Sequence, residues 1–389
     1  MAAAPHSATT FADLARRWRP GDFIADQMDR VQTPALVINR EAVDANIAAM
    51  CELLGERWRP HVKTAKLEWT MRRLVAAGVT RCKCATPLEL EVALRSGFED
   101  VLVAFSLRGP GARRVAELAA ESGRDVGVLV EDRSGLDQWR DSRVAVFIDI
   151  DPGTGRTGVP CNDVDAVVAL ARDVASAGLL LRGLHLYDGA AAGDTIDDRR
   201  AWCTRGLDAL HVVSQALLAE GHEIGELVTS GSRTWPIALE HAGLAGLPSA
   251  HTVSPGTVVY ADARTFQKDP ARDALRPAAA VVTRVTSVGP GCLTLDAGHK
   301  AVALSPHGPS GVILGHAGLE PQMPSEEHAP VKVVGASSVD YGELLAVLPS
   351  HVGPTVNLHD HAVIVSRGHV VGLERVSARG HHAPLSRGA

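Results

Sequence analysis

From about residue 35 onward, short runs of β-branched and apolar residues alternate with longer stretches in which apolar positions recur every three to four residues. TPALVIN (33–39) predicts a strand, and REAVDANIAAMCELL (40–54) predicts an amphipathic helix behind it. CKCATP, DVLVAF, VGVLVED, VAVFIDID, LRGLHLYD and ELVTSGS predict further strands, each ending where Gly, Asp, Ser or Pro breaks the run. Between them LELEVALRSG, GARRVAELAAES, VDAVVALARDVASAG and RAWCTRGLDALHVVSQALLAEG have helical spacing. Roughly eight strand and helix pairs between residues 33 and 265 match the count and span of a TIM-type (β/α)8 barrel. After Tyr260 the pattern changes. RPAAAVVTRVTSV, CLTLDAG, KAVALSP, PVKVVGAS and HAVIVSRGHVVGLERV predict strands joined by Gly and Pro turns, with little helix. The expected fold is therefore α/β: a barrel over residues 30–265 followed by a smaller C-terminal β domain over 266–380. Residues 1–29 are expected to pack on the second domain, and SARGHHAPLSRGA to form a loose tail.

Composition narrows the class of protein. A chain of 389 residues, 46% of them hydrophobic, is long enough for two cores. A net charge of -6 leaves no basic surplus for a phosphate backbone or an anionic membrane, so nucleic acid is not an expected partner. Six cysteines are too sparse for a disulfide scaffold, and Cys82 with Cys84 forms a CxC, which predicts reduced thiols. The first residues lack a continuous apolar run after a basic start, and no window approaches about 18 apolar residues, so a cytoplasmic protein is expected.

In a barrel of this type chemistry gathers at the carboxyl ends of the strands. RPHVKTAK (59–66) sets Lys63 after a strand-like run, with Arg59, His61 and Lys66 close by. Taken alone, such a cluster is a solvated basic surface. A lysine at a strand end can also form an imine with an aldehyde cofactor when burial or neighbouring cations lower its pKa. The segment resembles the RPHxKTHK signature of the D-threonine aldolase and D-serine dehydratase group, whose barrel is alanine racemase-like. The resemblance continues in order through CATPLELEVALRSGFEDVLVAF, DIDPGTGRTGV, GLHLYDG, VTSGSRTW, SPGTVVYAD and DAGHKAV, covering about residues 30–365.

The resemblance implies pyridoxal 5'-phosphate carried on Lys63. It implies that Arg156 lies near the cofactor's phenolate and the substrate carboxylate, a pairing suited to a planar guanidinium; a salt-bridged loop arginine is the alternative. VTSGSRTW matches the group's GGTGT phosphate cradle through Gly231, Ser232 and Thr234, with Ser232 and Arg233 standing where Thr and Gly are usual. Tyr187 and Tyr260 match positions that flank the ring and donate to the phosphate, although either could be an ordinary core residue. A head-to-tail homodimer is implied as well.

Several residues depart from the group's pattern. Its C-terminal domain supplies metal ligands through a His-x-Cys or His-x-Asp pair. Here PSHVGPTVNLHDH offers His351, but Gly353 occupies the partner position and has no side chain to bind zinc or manganese. Strand alternation would bring His359 and His361 to one face, away from Asp360, either as substitutes or as exposed strand histidines. Ala65 replaces the second histidine of KTHK, and SSVDYG carries Tyr341 where SEEHG is usual. Loss of a metal would hurt dehydration most, because hydroxide is a poor leaving group. Retro-aldol cleavage needs only a base for the β-hydroxyl proton, and His351 is the candidate.

The leading expectation is a lyase acting on a small D-configured β-hydroxy amino acid, with Lys63, His351 and Tyr341 as candidate catalytic residues. One alternative is a racemase or epimerase using Lys63 and Tyr341 as its two bases. A non-catalytic cofactor-binding protein is the other.

Overall fold

The computed structural model describes residues 9–189, 195–268, 271, 273–306, 308–335 and 338–383, so the end of the expected tail lies outside the described residues. The chain divides into two compact units. One comprises Met1–Ala49, Thr64–Thr70 and Thr257–Gly380; the other comprises Met50–Lys63, Met71–Gly256 and His381–Ala389.

The strand expected to open the barrel, β1 (Ala35–Asn39), lies in the first of these units. It pairs with strands of the C-terminal sheet and none of the barrel. The barrel unit is built from β2 (Arg81–Cys84), β3 (Asp100–Val103), β4 (Asp125–Val130), β5 (Ala145–Asp151), β6 (Val159–Pro160), β7 (Leu180–Leu186), β8 (Glu226–Thr229) and β9 (Ala250–Val253). They are parallel and hydrogen-bonded in the order β2-β3-β4-β5-β7-β8-β9, with β6 against β5 alone. Residues 58–61 take the remaining place, through isolated parallel bridges from Trp58 to Val253 and from His61 to Lys83.

Most of these strands are near-continuous apolar runs because helices cover their outer faces. Leu102, Leu129, Phe147 and Val228 form one interior cluster. Helix Pro87–Ser96 shows how sequence sets the connections. Thr86 caps the Glu89 amide, Pro87 occupies the first turn, and Gly97 ends the helix at φ 104°.

At the amino end of the strands sits an ionic cluster. Arg59, fully buried, donates to Glu226 at 3.0 and 2.9 Å and to Asp100 at 3.1 and 2.6 Å. Arg182 of β7 also engages Asp100.

The other unit holds β1 with β10 (Ala279–Gly289), β11 (Cys292–Leu295), β12 (Gly311–Ile313), β13 (Leu319–Pro321), β14 (Ala329–Val333), β15 (Leu344–Pro349), β16 (His361–Ser366) and β17 (His369–Arg375). Its sheet runs β13-β14-β11-β10-β1-β16-β17, with β15 joining β10 and β12. β1 is antiparallel to β10 and parallel to β16. The chain thus contributes the strand ALVIN to the β domain before building the barrel. Val281, Leu293, Ile313 and Leu345 are among the residues of its core.

Candidate active site

Within the barrel unit, the candidate residues arrive at the carboxyl ends of their strands. Lys63 follows His61, the last bridged residue of the closing segment. Gly256 matters to that approach, because a Cβ there would overlap the His61 carbonyl oxygen. Lys63 Nζ stands 5.5 Å from the centre of the Tyr187 ring, and Arg156 Cζ lies 4.7 Å from the same ring. Although Lys63 is an exposed residue, its amine is held below the ordinary lysine range. Loss of hydration is the main cause and the charge of Arg156 the second, partly offset by Glu89.

The loop that carries Arg156 is ordered by Asp151. Its carboxylate accepts the amides of Gly153, Thr154 and Gly155 at 3.0, 2.7 and 2.8 Å. On the far side of Arg156, the Thr157 hydroxyl donates to Asp149 at 2.9 Å and the Gly158 amide to Glu131 at 2.7 Å.

Tyr187 leaves the end of β7 half-buried, and Gly231 clears space for it: a Cβ at 231 would stand 3.2 Å from the ring. The 231–234 loop follows β8 as expected, yet its Thr234 hydroxyl is engaged elsewhere. Thr234 donates to the buried Asp188 at 2.9 Å, as does Ser230 at 3.1 Å. Burial raises the Asp188 carboxyl, while the hydrogen bonds from Thr234, Cys203 and Ser230 act against that rise. Ser232 is half-buried, and Arg233 donates to the Gly189 carbonyl at 3.2 Å. On the neighbouring strand end, the Ser254 hydroxyl is buried without a hydrogen-bond partner. An amine with a lowered pKa, a guanidinium and an unsatisfied buried hydroxyl, each beyond the carboxyl end of a barrel strand, fit a small anionic aldehyde such as pyridoxal 5'-phosphate.

The remaining candidates belong to the other unit. Tyr260 is fully buried; its hydroxyl shares a 2.7 Å hydrogen bond with Thr70 and donates to the Ala65 carbonyl at 3.4 Å. The phenol thus ties Thr70 to the loop after Lys63. Tyr341 stands before β15 and is 77% exposed. His351 precedes helix Val352–Leu358 and is exposed. A Cβ built on Gly353 would lie 4.0 Å from His351 Nε2 and 3.4 Å from Thr64 Oγ1, so the partner position is where a ligand pair would need it, but it carries no donor. His359 caps the end of that helix and bonds the Ala301 carbonyl through Nε2 at 2.8 Å, which corrects its expected strand position beside His361. Among the described residues no group of three or more His, Cys, Asp or Glu is arranged to hold a metal ion. At the expected pair, Gly353 supplies no second donor beside His351 to hold a divalent ion firmly.

Sequence reasoning missed a second lysine. Lys83 of β2 is 1% exposed, and its Nζ stands 5.6 Å from the centre of the Tyr187 ring. It contacts His185 Nε2 at 3.3 Å, and His185 Nδ1 bonds Asp149 at 2.7 Å. The signal was present: a lysine inside CKC, a histidine inside LHL and an aspartate inside FIDID all interrupt strands that should be apolar on both faces.

A parallel barrel with a desolvated lysine at a strand end is the class of scaffold suited to forming an imine with an aldehyde or ketone. Residues 38–263 match the family described as alanine racemase, N-terminal domain, and residues 278–365 match a serine dehydratase domain. The chain belongs to the alanine racemase N-terminal domain family. It is 28% identical to the D-threonine aldolase of Arthrobacter sp. over 374 residues, 93% of this chain and 95% of that one. To the 3-hydroxy-D-aspartate aldolase of Paracoccus denitrificans it is 29% identical over 372 residues, covering 90% and 92%. The crystal structure of the D-threonine aldolase from Filomicrobium marinum superposes with a TM-score of 0.83 at 28% identity, covering 94% of this chain and 100% of that one.

Proposed function

We propose that this chain is a cytoplasmic pyridoxal 5'-phosphate-dependent lyase that acts on a small D-configured β-hydroxy amino acid, with retro-aldol cleavage favoured over dehydration. The observation that carries the reading is Lys63: an amine held below its usual pKa beside Arg156 and Tyr187, in a chain whose named relatives are aldolases of this substrate class. When bound, the cofactor supplies an aldehyde for that amine and an electron sink for a carbanion.

The other roles follow from the chain's own groups. A lowered pKa leaves the Lys63 lone pair free at lower pH. Arg156 presents a planar cation to a carboxylate or phenolate. Gly231, Ser232 and the Ser254 hydroxyl offer the phosphate contacts, while Thr234 fixes Asp188 behind them. Tyr187 flanks the ring, and Tyr260 acts one step back through Ala65. His351 is the proposed acceptor of the β-hydroxyl proton, which cleavage requires and Gly353 cannot supply. The proposed assembly is a homodimer, and a monomeric mass by light scattering at assay concentration would remove it.

Incubation with D-threonine in deuterated water tests the reading. Release of an aldehyde and glycine supports cleavage, and a keto acid indicates dehydration. Deuteration at Cα with inversion would indicate a racemase with Lys63 and Tyr341 as its two bases; no turnover of either enantiomer would indicate a binding protein. An absorbance band near the visible edge, bleached by borohydride and absent from Lys63→Ala, is expected in every case.

A further inference from the structure

Lysine is scarce in this chain: six lysines stand against 33 arginines. An arginine would hold its charge permanently, whereas a buried lysine can give its proton up. Lys83 is one of the six, and it is enclosed in β2. Its amine faces His185 across 3.3 Å. The second ring nitrogen of His185 is bound to Asp149, which also accepts from Thr157 at 2.9 Å. With Nδ1 donating to the carboxylate, Nε2 keeps its lone pair toward Lys83, so the imidazole serves as an oriented acceptor for an N–H of that amine.

The charges around Lys83 are unequal. Lys63 and Arg59 oppose a proton on it, while Asp149 and Asp188 favour one. Burial is the largest influence, and together these push the amine down to about 7. His185 is itself held below the ordinary histidine range, by burial first and by Lys83 second, against the pull of Asp149. Lys63 and Lys83 lie at nearly the same distance, 5.5 and 5.6 Å, from the centre of one tyrosine ring. Of the cations that oppose a proton on Lys83, Lys63 weighs most, so two ammonium groups in that setting repel one another.

We propose that Lys83 is a positioning residue for Lys63: the two amines share a single proton at neutral pH, and the Asp149–His185 pair holds Lys83 ready to take it when Lys63 gives it up. The exchange breaks one N–H bond at Lys63 Nζ and forms one at Lys83 Nζ, with the total charge unchanged. It leaves Lys63 with a free lone pair at a pH where an isolated lysine is charged, which rests on the reading of Lys63 as the cofactor-bearing amine.

The test uses the full chain with lysine labelled by carbon-13 at Cε, whose six signals are followed by NMR through a pH titration without added cofactor. Lys83 is expected to titrate near neutral pH. In Lys63→Ala, where an exposed side chain is removed, its midpoint is expected to rise by about one pH unit because the like charge is gone. In Lys83→Met, the borohydride-sensitive band formed with pyridoxal 5'-phosphate at neutral pH should appear about tenfold more slowly and recover at higher pH. A Lys83 midpoint in the ordinary lysine range, or one that does not move in Lys63→Ala, overturns the proposal. Absence of the band from the wild-type chain would instead sink the cofactor reading, while the amine titration, which needs no cofactor, would still decide the coupling.

Discussion

At the scale of single residues, the departures from the family pattern carry the most information. Gly353 lies in helix Val352–Leu358 without a positive φ, and its missing Cβ would make ordinary contacts with Thr64 and His351. Gly353→Cys should therefore be accommodated and should create a His-x-Cys pair. Elemental analysis after gel filtration is expected to find at least about tenfold more retained zinc than in the wild type, because a thiolate adds a strong second ligand; equal zinc in the two would show that His351 is not aimed at the shared position. Lys83 gives a pH prediction. Its folded pKa of about 7 lies below the unfolded value, so the unfolded chain binds more protons between about pH 7 and 10. The stability contribution of the neutral amine is fully present above that window and is lost as pH falls through it. Wild type minus Lys83→Met should thus show stability rising with pH at a slope approaching 1.4 kcal/mol per unit, on the order set by one proton. Urea unfolding at several pH values measures it, and parallel curves would contradict it. Lys63 was legible because a motif surrounds it. Lys83 was not, because its meaning depends on a histidine about a hundred residues away that only the parallel pairing brings near.

At the scale of elements, RPHVKTAK is the instructive case. In the sequence it is one basic cluster. In the fold the segment runs through the barrel wall and separates its charges, with Arg59 among acids at the amino ends of β3 and β8 and Lys63 beyond the last bridge at the carboxyl end. Conserving that separation requires Arg59 to stay paired. Removing it by Arg59→Met leaves the buried Glu226 and the half-buried Asp100 to Arg182, with Arg81 3.9 Å from Glu226, and should cost about 3–5 kcal/mol in urea unfolding. Burial alone would raise the Asp100 carboxyl, but Arg59 and Arg182 hold it below the usual range. Its contribution is therefore present above about pH 4 and lost as pH falls through the lower folded value. Arg59→Met should flatten that acid limb; a variant as stable as the wild type, with the same acid profile, would mean that the cluster contributes nothing. The strands and helices of the barrel were legible from periodicity, since each run is bounded by its own breakers. The short closing segment was not, because residues 58–61 make only isolated bridges and have no strand pattern of their own.

At the scale of the whole molecule, the order of elements along the chain hides which sheet each joins. TPALVIN followed by an amphipathic helix has the same local pattern as every later strand and helix pair, so periodicity assigns it to the barrel. Pairing decides otherwise. Leu36 and Val37 lie opposite Val281 and Ala280 of β10 on one side and Ala362 and Val363 of β16 on the other. All of these partners are more than two hundred residues downstream, a separation no local signal encodes. A fragment of residues 30–265, the boundary that the sequence pattern suggests, would therefore keep β1 and lose both of its neighbours. It would expose two unpaired edges of an apolar strand, a template for association between chains. That fragment should be recovered mainly in the insoluble fraction, whereas the full chain should give a monodisperse peak in gel filtration. A soluble fragment with a cooperative thermal transition would show that the barrel's stability does not depend on where β1 is paired.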